Sequence, residues 1–427
     1  MLDIRFIREN RDLVEKAAAK KHLEVDIGKL LKLDVERLEL LQVVEGMRSK
    51  QHRAGATLAA SKSGGQDQDT DSKLLGELAT LKTKLRAEEE KLADIVRKWQ
   101  TLMLSIPNIP DVSVPEGATD AENVELRRVG EPRKFDFKVK DHRELMMELG
   151  MVDFERGVKT SGFRGYFLTG AGVRLSFAVW QFALTRLSAQ GFMPMMAPSL
   201  IRREMLLGTG YLPQGEDDLF MTQDGMYLAG TSEVAGMGYF MDEVIPVTQL
   251  PKKMLAFSPC FRREAGSYGK DEKGLFRVHE FFKLEQLVIS QASHEESVRL
   301  HEEITKNSES LMAELGIPYR VVVNCGGDLG LGQVKKYDTE AWVPSEGRYR
   351  ETHSSSYFHD FQSRRLNIRY RDEGGKLNYV HSLNNTAVAT PRILQAIVEN
   401  YQEADGSIRI PSVLREYAGI EVIRKEK

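Results

Sequence analysis

Charged side chains cluster in residues 254–286, a stretch whose other residues are largely apolar. Two apolar runs, Met254 to Phe261 and Phe276 to Ile289, flank a polar segment that contains glycine, and they predict two antiparallel strands joined by a loop. The charged residues are Arg262, Arg263 and Glu264 at the end of the first strand and Arg277, His279 and Glu285 on the second. Charges on strands that are apolar enough for a protein core are costly unless they meet a ligand or one another. The pattern therefore indicates a binding site for charged groups, although a hairpin with solvated ends would also account for the charge density.

Two further stretches carry candidate ligand-binding groups. Thr231, Ser232 and Glu233 follow a short apolar run, where a Thr-Ser-Glu triplet is by itself a common helix N-cap. Thr390 and Pro391 are expected to open a helix, with the proline at its first position, and Arg392 follows them. An arginine at this positive end of a helix gains nothing electrostatically unless it faces an anion, so the position indicates an anionic ligand.

The order of residues in the charged stretch closely resembles motif 2 of class II aminoacyl-tRNA synthetases. It reads Phe-Arg-Arg-Glu, then a loop over 265–274, then Arg-Val-His-Glu-Phe-Phe-Lys-Leu-Glu. Within that class, the continuation Arg-Glu-Ala-Gly-Ser-Tyr-Gly is similar to seryl-tRNA synthetases. Residues 379–401 resemble motif 3 and residues 172–198 resemble motif 1, so the resemblance covers nearly the whole chain.

The resemblance implies that serine attacks the α-phosphate of ATP, that pyrophosphate leaves, and that the seryl group then passes to a tRNA ribose. The serine carboxylate is already ionised at neutral pH, so the first step needs alignment and charge neutralisation rather than a general base. The implied catalytic residues are Arg262, on the α-phosphate and the substrate carboxylate, Arg392, on the γ-phosphate, and Glu285.

The resemblance also implies which residues bind each substrate. Glu264 and the backbone of Val278 would hold the adenine edge, and Phe281 would stack on its face. The implied ATP-binding residues are Arg262, Arg263, Glu264, Val278, Phe281, Glu351, Thr352, His353, Ser354 and Arg392. The implied serine-binding residues are Thr231, Ser232, Glu233, Glu285, Asn384 and Thr386.

Selectivity for serine would depend on two carboxylates. Thr231 and Glu233 would bind the substrate ammonium. Glu285 with Thr386 would bind the hydroxyl, and alanine would leave that buried carboxylate without its partner. Threonine has the hydroxyl too, so its rejection must be steric, and the sequence does not give the size of the pocket.

The segment that begins at Tyr349 departs from the family pattern. Glu351 and Ser354 keep their places, but Thr352 and His353 replace an aliphatic residue and a serine. Glu351 and Ser354 are the implied ligands of Mg²⁺, a hard cation that prefers oxygen donors and keeps most of its waters. A histidine among serines could also suggest a hydrolase triad, but no nucleophile elbow or partner acid accompanies it.

Apolar residues at spacings of three and four predict an antiparallel helical hairpin before the catalytic motifs. The two seams run from Leu30 to Leu58 and from Leu74 to Leu102, on either side of Ser63-Gly64-Gly65. At 1.5 Å per residue each arm would be roughly 45–50 Å long. Seryl-tRNA synthetases carry such an arm to grip the long variable arm of their tRNA; an oligomerisation coiled coil is the alternative.

The charge of the hairpin favours the tRNA-binding interpretation. Residues 48–86 contain eight basic and four acidic residues, a net charge of +4 on a chain whose formal net charge is −3. A basic arm on an otherwise acidic protein suits contact with a phosphate backbone. The turn itself, Asp67 to Asp71, is acidic.

Three prolines in residues 106–117 exclude a continuous helix and mark a domain boundary. We predict a tRNA-binding helical arm over 1–105, a linker over 106–117 and a catalytic domain over 118–427. The fold class is α+β: an antiparallel helical hairpin (coiled coil), then a class II synthetase domain on an antiparallel β-sheet flanked by helices. The motif 1 resemblance implies a homodimer.

Bulk properties limit the remaining possibilities. A chain of 427 residues suggests two domains or one domain with an appendage. Cys260 and Cys325 are too few for a disulfide framework or a cysteine-rich zinc site. No stretch approaches a membrane span and no signal-peptide core is found, so we expect a cytoplasmic protein without membrane association.

The resemblance thus implies a serine–tRNA ligase that uses ATP, L-serine and tRNA(Ser), with Mg²⁺ as cofactor. The sequence leaves open whether tRNA(Sec) is also a substrate. One alternative is a paralogue that loads an amino acid onto a carrier protein, against which the full heptad arm argues. The other is a catalytically silent RNA-binding protein, against which the intact Arg262, Glu264, Glu285 and Arg392 argue.

Overall fold

The computed structural model describes residues 1–64, 68–266, 271 and 273–425. They form two compact units. We call Asp3–Glu15 with Glu24–Ile106 the helical unit, and Met1–Leu2, Lys16–Leu23 and Pro107–Lys427 the sheet unit. Among the described residues, no helix combines the length and the apolar character needed to cross a membrane.

The helices range from one turn to the two long helices of the hairpin. The α-helices of the described residues are α1 (Ile4–Glu9), α2 (Arg11–Lys20), α3 (Ile27–Gly64), α4 (Gln68–Ser105), α5 (His142–Glu148), α6 (Phe154–Ser161), α7 (Gly170–Ser188), α8 (Arg203–Thr209), α9 (Ser232–Gly238), α10 (His294–Glu314), α11 (Phe361–Leu366), α12 (Arg392–Asn400) and α13 (Arg415–Ala418). Short 3-10 helices lie at Asp120–Glu122, Glu216–Asp218, Val247–Gln249, Gly326–Asp328 and Ser412–Leu414.

The strands of the described residues all lie in the sheet unit. They are β1 (Val124–Val129), β2 (Val152–Asp153), β3 (Phe167–Leu168), β4 (Met193–Met196), β5 (Leu200–Ile201), β6 (Phe220–Met221), β7 (Tyr227–Leu228), β8 (Val244–Pro246), β9 (Lys252–Phe261), β10 (Glu280–Ser290), β11 (Tyr319–Val323), β12 (Lys335–Val343), β13 (Arg348–Tyr357), β14 (Arg369–Arg371), β15 (Leu377–Tyr379), β16 (His381–Thr390), β17 (Ile408–Arg409) and β18 (Val422–Ile423).

Helices α3 and α4 form the antiparallel hairpin that the sequence predicts. The predicted seam positions are buried or half-buried along both helices. The Arg48 Nη2 atom lies 2.7 Å from Glu89 Oε1, and the Arg37 guanidinium lies 4.8 Å from the Trp99 ring centroid, which sets an antiparallel register. Each helix has 38 residues. That length is about 57 Å, longer than the roughly 45–50 Å predicted. The turn residues Gly65 and Asp67 lie outside the described residues.

A fully buried carboxylate, Asp34, stabilises the base of this hairpin. It accepts hydrogen bonds from Arg8 of α1 and, at 2.8 Å, from Arg37 Nη2. Arg37 also packs on the face of Trp99 in α4. A buried carboxylate is retained only when it is paired, so this cluster ties three helices together.

Substitution of Asp34 should loosen the hairpin. We expect Asp34→Ala to lower the free energy of opening of α3 by about 1–3 kcal/mol, because two arginines lose their buried acceptor. Hydrogen exchange of the α3 amides in the full-length protein measures this change. The matched control is Glu36→Ala, an exposed position on the same helix. Equal exchange in the two variants would contradict the assignment.

The core of the sheet unit is an eight-stranded sheet in the order β1-β11-β12-β13-β16-β10-β9-β4. Neighbouring strands are antiparallel except β4, which lies parallel to β9 at one edge. Helices α7, α10 and α12 pack against the sheet, and Leu255, Leu284, Val288 and Leu383 belong to the apolar core between the layers. The predicted α+β class is confirmed.

The central hairpin, β9 and β10, differs from the prediction at one end. Glu280 pairs with Phe261, so β10 begins at Glu280 rather than at Phe276. Arg277 and His279, expected on the strand, therefore precede it. Half of the predicted 265–274 loop, residues 267–270 and 272, lies outside the described residues. Helix α12 likewise begins at Arg392, one residue later than expected, with Pro391 at its N-cap.

Two of the β-bulges in the described part of the sheet change which side chains face the same side. One leaves Thr352 of β13 without a partner between the pairs Thr339–His353 and Glu340–Glu351. The other leaves Ala387 of β16 unpaired between the partners of β10. A bulge reverses the alternation of side chains from that point onward. Two residues of one strand that lie on either side of a bulge, an odd number of positions apart, can then face the same side of the sheet.

Candidate active site

A cavity of about 430 Å³ lies over one face of the central sheet. Its wall combines residues of β10, β13 and β16 with the segments that precede β10 and β12. The structure brings together twelve of the sixteen predicted site residues here: Glu233, Arg262, Glu264, Val278, Phe281, Glu285, Glu351, Thr352, Ser354, Asn384, Thr386 and Arg392. Motifs far apart in the chain thus meet in one cavity.

Three of the other four predicted residues lie next to this cavity without lining it. Thr231 is the N-cap of α9, where its hydroxyl accepts the backbone N–H of Glu233 at 3.3 Å. Ser232 is fully buried and donates to the Ala256 carbonyl at 3.1 Å. The Arg263 guanidinium lies 5.9 Å from the Phe220 ring centroid. Ligand contacts by these three side chains remain predictions.

His353, the fourth, is buried beneath the bulge in β13. Its Nδ1 atom lies 2.8 Å from the Thr352 hydroxyl, which also lies 3.1 Å from the Thr339 carbonyl. Burial lowers the pKa of His353 to about 4, so the ring is neutral near pH 7. His353, which departs from the family pattern, is thus accommodated inside the sheet, and Glu351 and Ser354 still line the cavity.

Glu351 is held as an anion by surrounding cations. Burial alone would raise the pKa of its carboxyl, but Arg392, Lys336 and Arg262 outweigh burial and hold this pKa at about 2. The Arg392 Nη1 atom lies 3.2 Å from Glu351 Oε2. The bulge at Thr352 brings Glu351 to the same cavity as Ser354, three residues away, although strict alternation would separate them.

The donor set at this place fits a cation that arrives together with a phosphate-bearing ligand. In the described parts of the chain, no three His, Cys, Asp or Glu side chains are grouped so that they could hold a metal ion. Magnesium is usually bound by one or two carboxylates together with substrate phosphates and waters. An ionised Glu351 and the Ser354 hydroxyl match that requirement.

A buried ion pair that sequence reasoning missed lines the same cavity. The Lys283 Nζ atom lies 2.6 Å from Glu285 Oε2, and both side chains are at least 90% buried. The Thr386 hydroxyl donates to the same carboxylate oxygen at 3.4 Å. Lys283 could have been found from its spacing, because positions 283 and 285 share one face of a strand.

Glu233 is oriented by two residues from other elements. Gln362 Nε2 donates to Glu233 Oε1 at 2.7 Å, and the Tyr211 hydroxyl donates to Oε2 at 3.0 Å. Burial raises the pKa of Glu233, and the hydrogen bond from Gln362 opposes that shift. Ser382 in turn donates to Gln362 Oε1 at 2.7 Å. The sequence analysis assigned no role to Tyr211 or Gln362.

Arginines and aromatic rings alternate along the remaining wall. The Arg262 guanidinium lies 5.4 Å from the Phe281 centroid, and Nε donates to the Gly230 carbonyl at 3.3 Å. Phe276 packs against two arginines, with centroid distances of 3.7 Å to Arg350 and 4.4 Å to Arg392. Sequence reasoning missed Arg350 and Phe276. The whole arrangement can bind a flat ring beside several negative charges.

Comparison with known proteins identifies the family. The chain matches the class II tRNA synthetase core domain (G, H, P, S and T) over residues 219–401 and the seryl-tRNA synthetase N-terminal domain over residues 1–110. The serine–tRNA ligase of Deinococcus radiodurans is 44% identical over 424 residues, 98% of each chain. That of Caldicellulosiruptor saccharolyticus is 42% identical over 425 residues, 99% of this chain and 100% of the relative.

Solved structures agree over the full length. The seryl-tRNA synthetase from Pyrococcus horikoshii, complexed with ATP, superimposes with a TM-score of 0.89 at 38% identity and covers 100% of both chains. The cytoplasmic serine–tRNA ligase from Naegleria fowleri, in complex with AMP, gives 0.84 at 29% identity, with 100% and 99% covered. This chain therefore belongs to the seryl-tRNA synthetase family of class II aminoacyl-tRNA synthetases.

Proposed function

We propose that this protein activates L-serine with ATP and transfers the seryl group to tRNA(Ser). One observation carries the proposal: a single cavity holds two sets of charged residues, Arg262, Arg392 and the ionised Glu351 as the first and the buried Lys283–Glu285 pair as the second. The first set suits a triphosphate and the second suits a small polar amino acid. The names of full-length relatives agree with this combination.

In adenylate formation the chain aligns two anions rather than moving a proton. The serine carboxylate is ionised at neutral pH. Arg262 neutralises the α-phosphate and the attacking carboxylate, and Arg392 exchanges its contact with Glu351 for the γ-phosphate. When bound at Glu351 and Ser354, Mg²⁺ would neutralise charge on the phosphate oxygens. Phe281 stacks on the adenine, with Glu264 and the Val278 backbone at its edge.

Serine is selected by buried groups that need its ammonium and its hydroxyl. Glu233, oriented by Tyr211 and Gln362, accepts from the substrate ammonium. Glu285 accepts from the substrate hydroxyl, while Lys283 and Thr386 hold the carboxylate in place. Alanine would leave that acceptor unmatched, which is costly in a buried site.

The helical arm is proposed to recognise tRNA(Ser), and the active molecule is proposed to be a homodimer formed through α7 and β4. The predicted division into an arm over 1–105, a linker over 106–117 and a catalytic domain over 118–427 belongs to the same proposal. Whether the protein also charges tRNA(Sec) with serine stays open, and a cytoplasmic location stays a prediction.

ATP–pyrophosphate exchange across a panel of amino acids, followed by charging of purified tRNA, tests the function directly. We expect exchange with serine and with no other member of the panel at equal concentration, and charging of tRNA(Ser). Exchange with serine but transfer only to a carrier protein would support the paralogue instead. Absence of exchange with every amino acid would support a silent RNA-binding protein.

Loss of either phosphate-binding arginine should abolish most activity. We expect Arg262→Ala and Arg392→Ala each to lower serine-dependent pyrophosphate exchange by about 10²-fold or more, because each removes a charge contact made in the transition state. The control is Arg299→Ala, an exposed arginine of α10. Near-normal exchange in both active-site variants would refute these roles.

Loss of the Glu285 carboxylate should change amino-acid selection more than ATP binding. We expect Glu285→Ala to raise the KM for serine by about tenfold or more and to narrow the preference for serine over alanine. Glu280→Ala, an exposed residue of the same strand, is the matched control. If the KM for ATP rises instead while that for serine is unchanged, Glu285 has been assigned to the wrong substrate.

Neutralising the basic arm should weaken tRNA binding but not adenylate formation. The test variant converts four exposed residues to glutamine: Lys50, Arg53, Lys82 and Lys84. We expect pyrophosphate exchange to stay within twofold, the KM for tRNA to rise about tenfold, and the salt dependence of tRNA binding to become flatter, because fewer phosphate counterions are released.

The control for the arm variant removes the same number of charges elsewhere. It replaces Lys134, Lys138, Lys159 and Lys376 of the sheet unit with glutamine, and we expect a smaller effect on the salt slope. Light scattering on both variants reports oligomeric state. A monomeric arm variant without pyrophosphate exchange would favour the oligomerisation coiled coil over the tRNA-binding arm.

A further inference from the structure

Lys21 is a buried lysine that the reaction described above does not use. It follows α2, belongs to the sheet unit and is only 3% exposed. Its Nζ atom donates to the carbonyl oxygens of Gly330 and Leu331 at 3.0 Å each, and to that of Gln333 at 2.6 Å. All three donors of the ammonium thus go to one short segment, residues 330–333.

This segment, the 330–333 loop, forms part of the active-site wall. Each of its four residues lines the cavity. Gln333 Nε2 donates to the Ser356 hydroxyl at 2.8 Å, and Ser356 pairs across the sheet with Asn384, a predicted serine-binding residue. The loop therefore lies close to Asn384, one of the residues assigned to the amino acid.

Few other contacts fix the carbonyls of this loop. The backbone N–H of Asn108 donates to the Leu331 carbonyl at 2.9 Å, and its side chain donates to the Gly332 carbonyl at 3.0 Å. The Gly330 carbonyl also accepts from the backbone of Gln333 at 3.1 Å. Lys21 is the contact that joins three of the four carbonyls, so its ammonium fixes their relative positions.

The burial of Lys21 is expensive, which argues for a role. Burial lowers the pKa of Lys21 to about 7, far from the usual range of a lysine. A buried ammonium is usually retained beside a carboxylate, but here the protons go to backbone carbonyl oxygens. What offsets the free-energy cost of burying Lys21 must therefore be the loop geometry that those carbonyls define.

We propose that Lys21 is a positioning residue for serine activation: its ammonium holds the 330–333 loop in the shape that closes the cavity beside the residues assigned to serine. The inference rests on the proposed function and adds to it a residue more than 300 positions away from the loop in sequence. Lys21 touches no substrate. It acts through the loop and through Gln333 on the strand that carries Ser356.

Steady-state pyrophosphate exchange separates this role from a general loss of stability. We expect Lys21→Met to raise the KM for serine about tenfold while the KM for ATP and kcat stay within about threefold. The matched control is Lys20→Met, whose side chain pairs with Glu116 at 3.3 Å, and it should leave both KM values unchanged. Equal KM values for serine in wild type and Lys21→Met would overturn the proposal.

Two further measurements keep the test decisive. Lys21→Gln retains an N–H donor group on a shorter side chain, so its KM for serine should lie between those of wild type and Lys21→Met. Hydrogen exchange at the amides of 330–334 should accelerate in both Lys21 variants and not in Lys20→Met. Parallel increases in both KM values, with a lowered Tm and no local change in exchange, would show a merely structural role.

The exchange measurement also separates failure of the inference from failure of the proposed function. It needs no substrate, so loosening of the loop can be observed whether or not serine is activated. Wild-type protein that exchanges with no amino acid would refute the function while leaving the loop contact testable. Wild-type exchange with serine, together with an unaltered loop in Lys21→Met and Lys21→Gln, would refute the inference alone.

Discussion

The pairing of opposite charges against one face of the central sheet is the interaction on which the rest of the structure depends. Lys283 and Glu285 can be buried because each charge has a partner, and Glu351, whose side chain is 42% exposed, is paired with Arg392. Such a pair also prepares the site for an anionic ligand, since a ligand anion can replace the Glu351 carboxylate as the partner of Arg392.

The elements most accessible from the sequence were those with local signals. Heptad spacing located the hairpin of α3 and α4, because burial in a two-helix seam repeats along the chain. Motif order located Arg262, Glu264, Glu351 and Arg392 in one site, although they come from different strands and loops. Their ligand contacts stay predictions, but their convergence in one cavity is a property of the structure.

What the sequence did not reveal depends on partners that are distant in the chain. Gln362 and Tyr211 meet Glu233 only after folding, and Arg350 meets Phe276 in the same way. The bulge at Thr352 leaves no periodic signal, because one extra residue cannot be told from a normal strand position. The late start of β10 has a similar origin, since the apolar residues before Glu280 pack on the cavity wall rather than pair with β9.

The sheet unit is discontinuous in the chain, and this restricts how the gene can be rearranged. Lys16–Leu23 belongs to the sheet unit, yet helical-unit residues precede and follow it. Exchange of the arm between two relatives by a single crossover near Pro107 would therefore import a foreign Lys21 region into the recipient. Recombination that keeps Lys21 and the 330–333 loop from the same parent requires two crossovers. Chimeras made with a single crossover should lose contacts between these two segments.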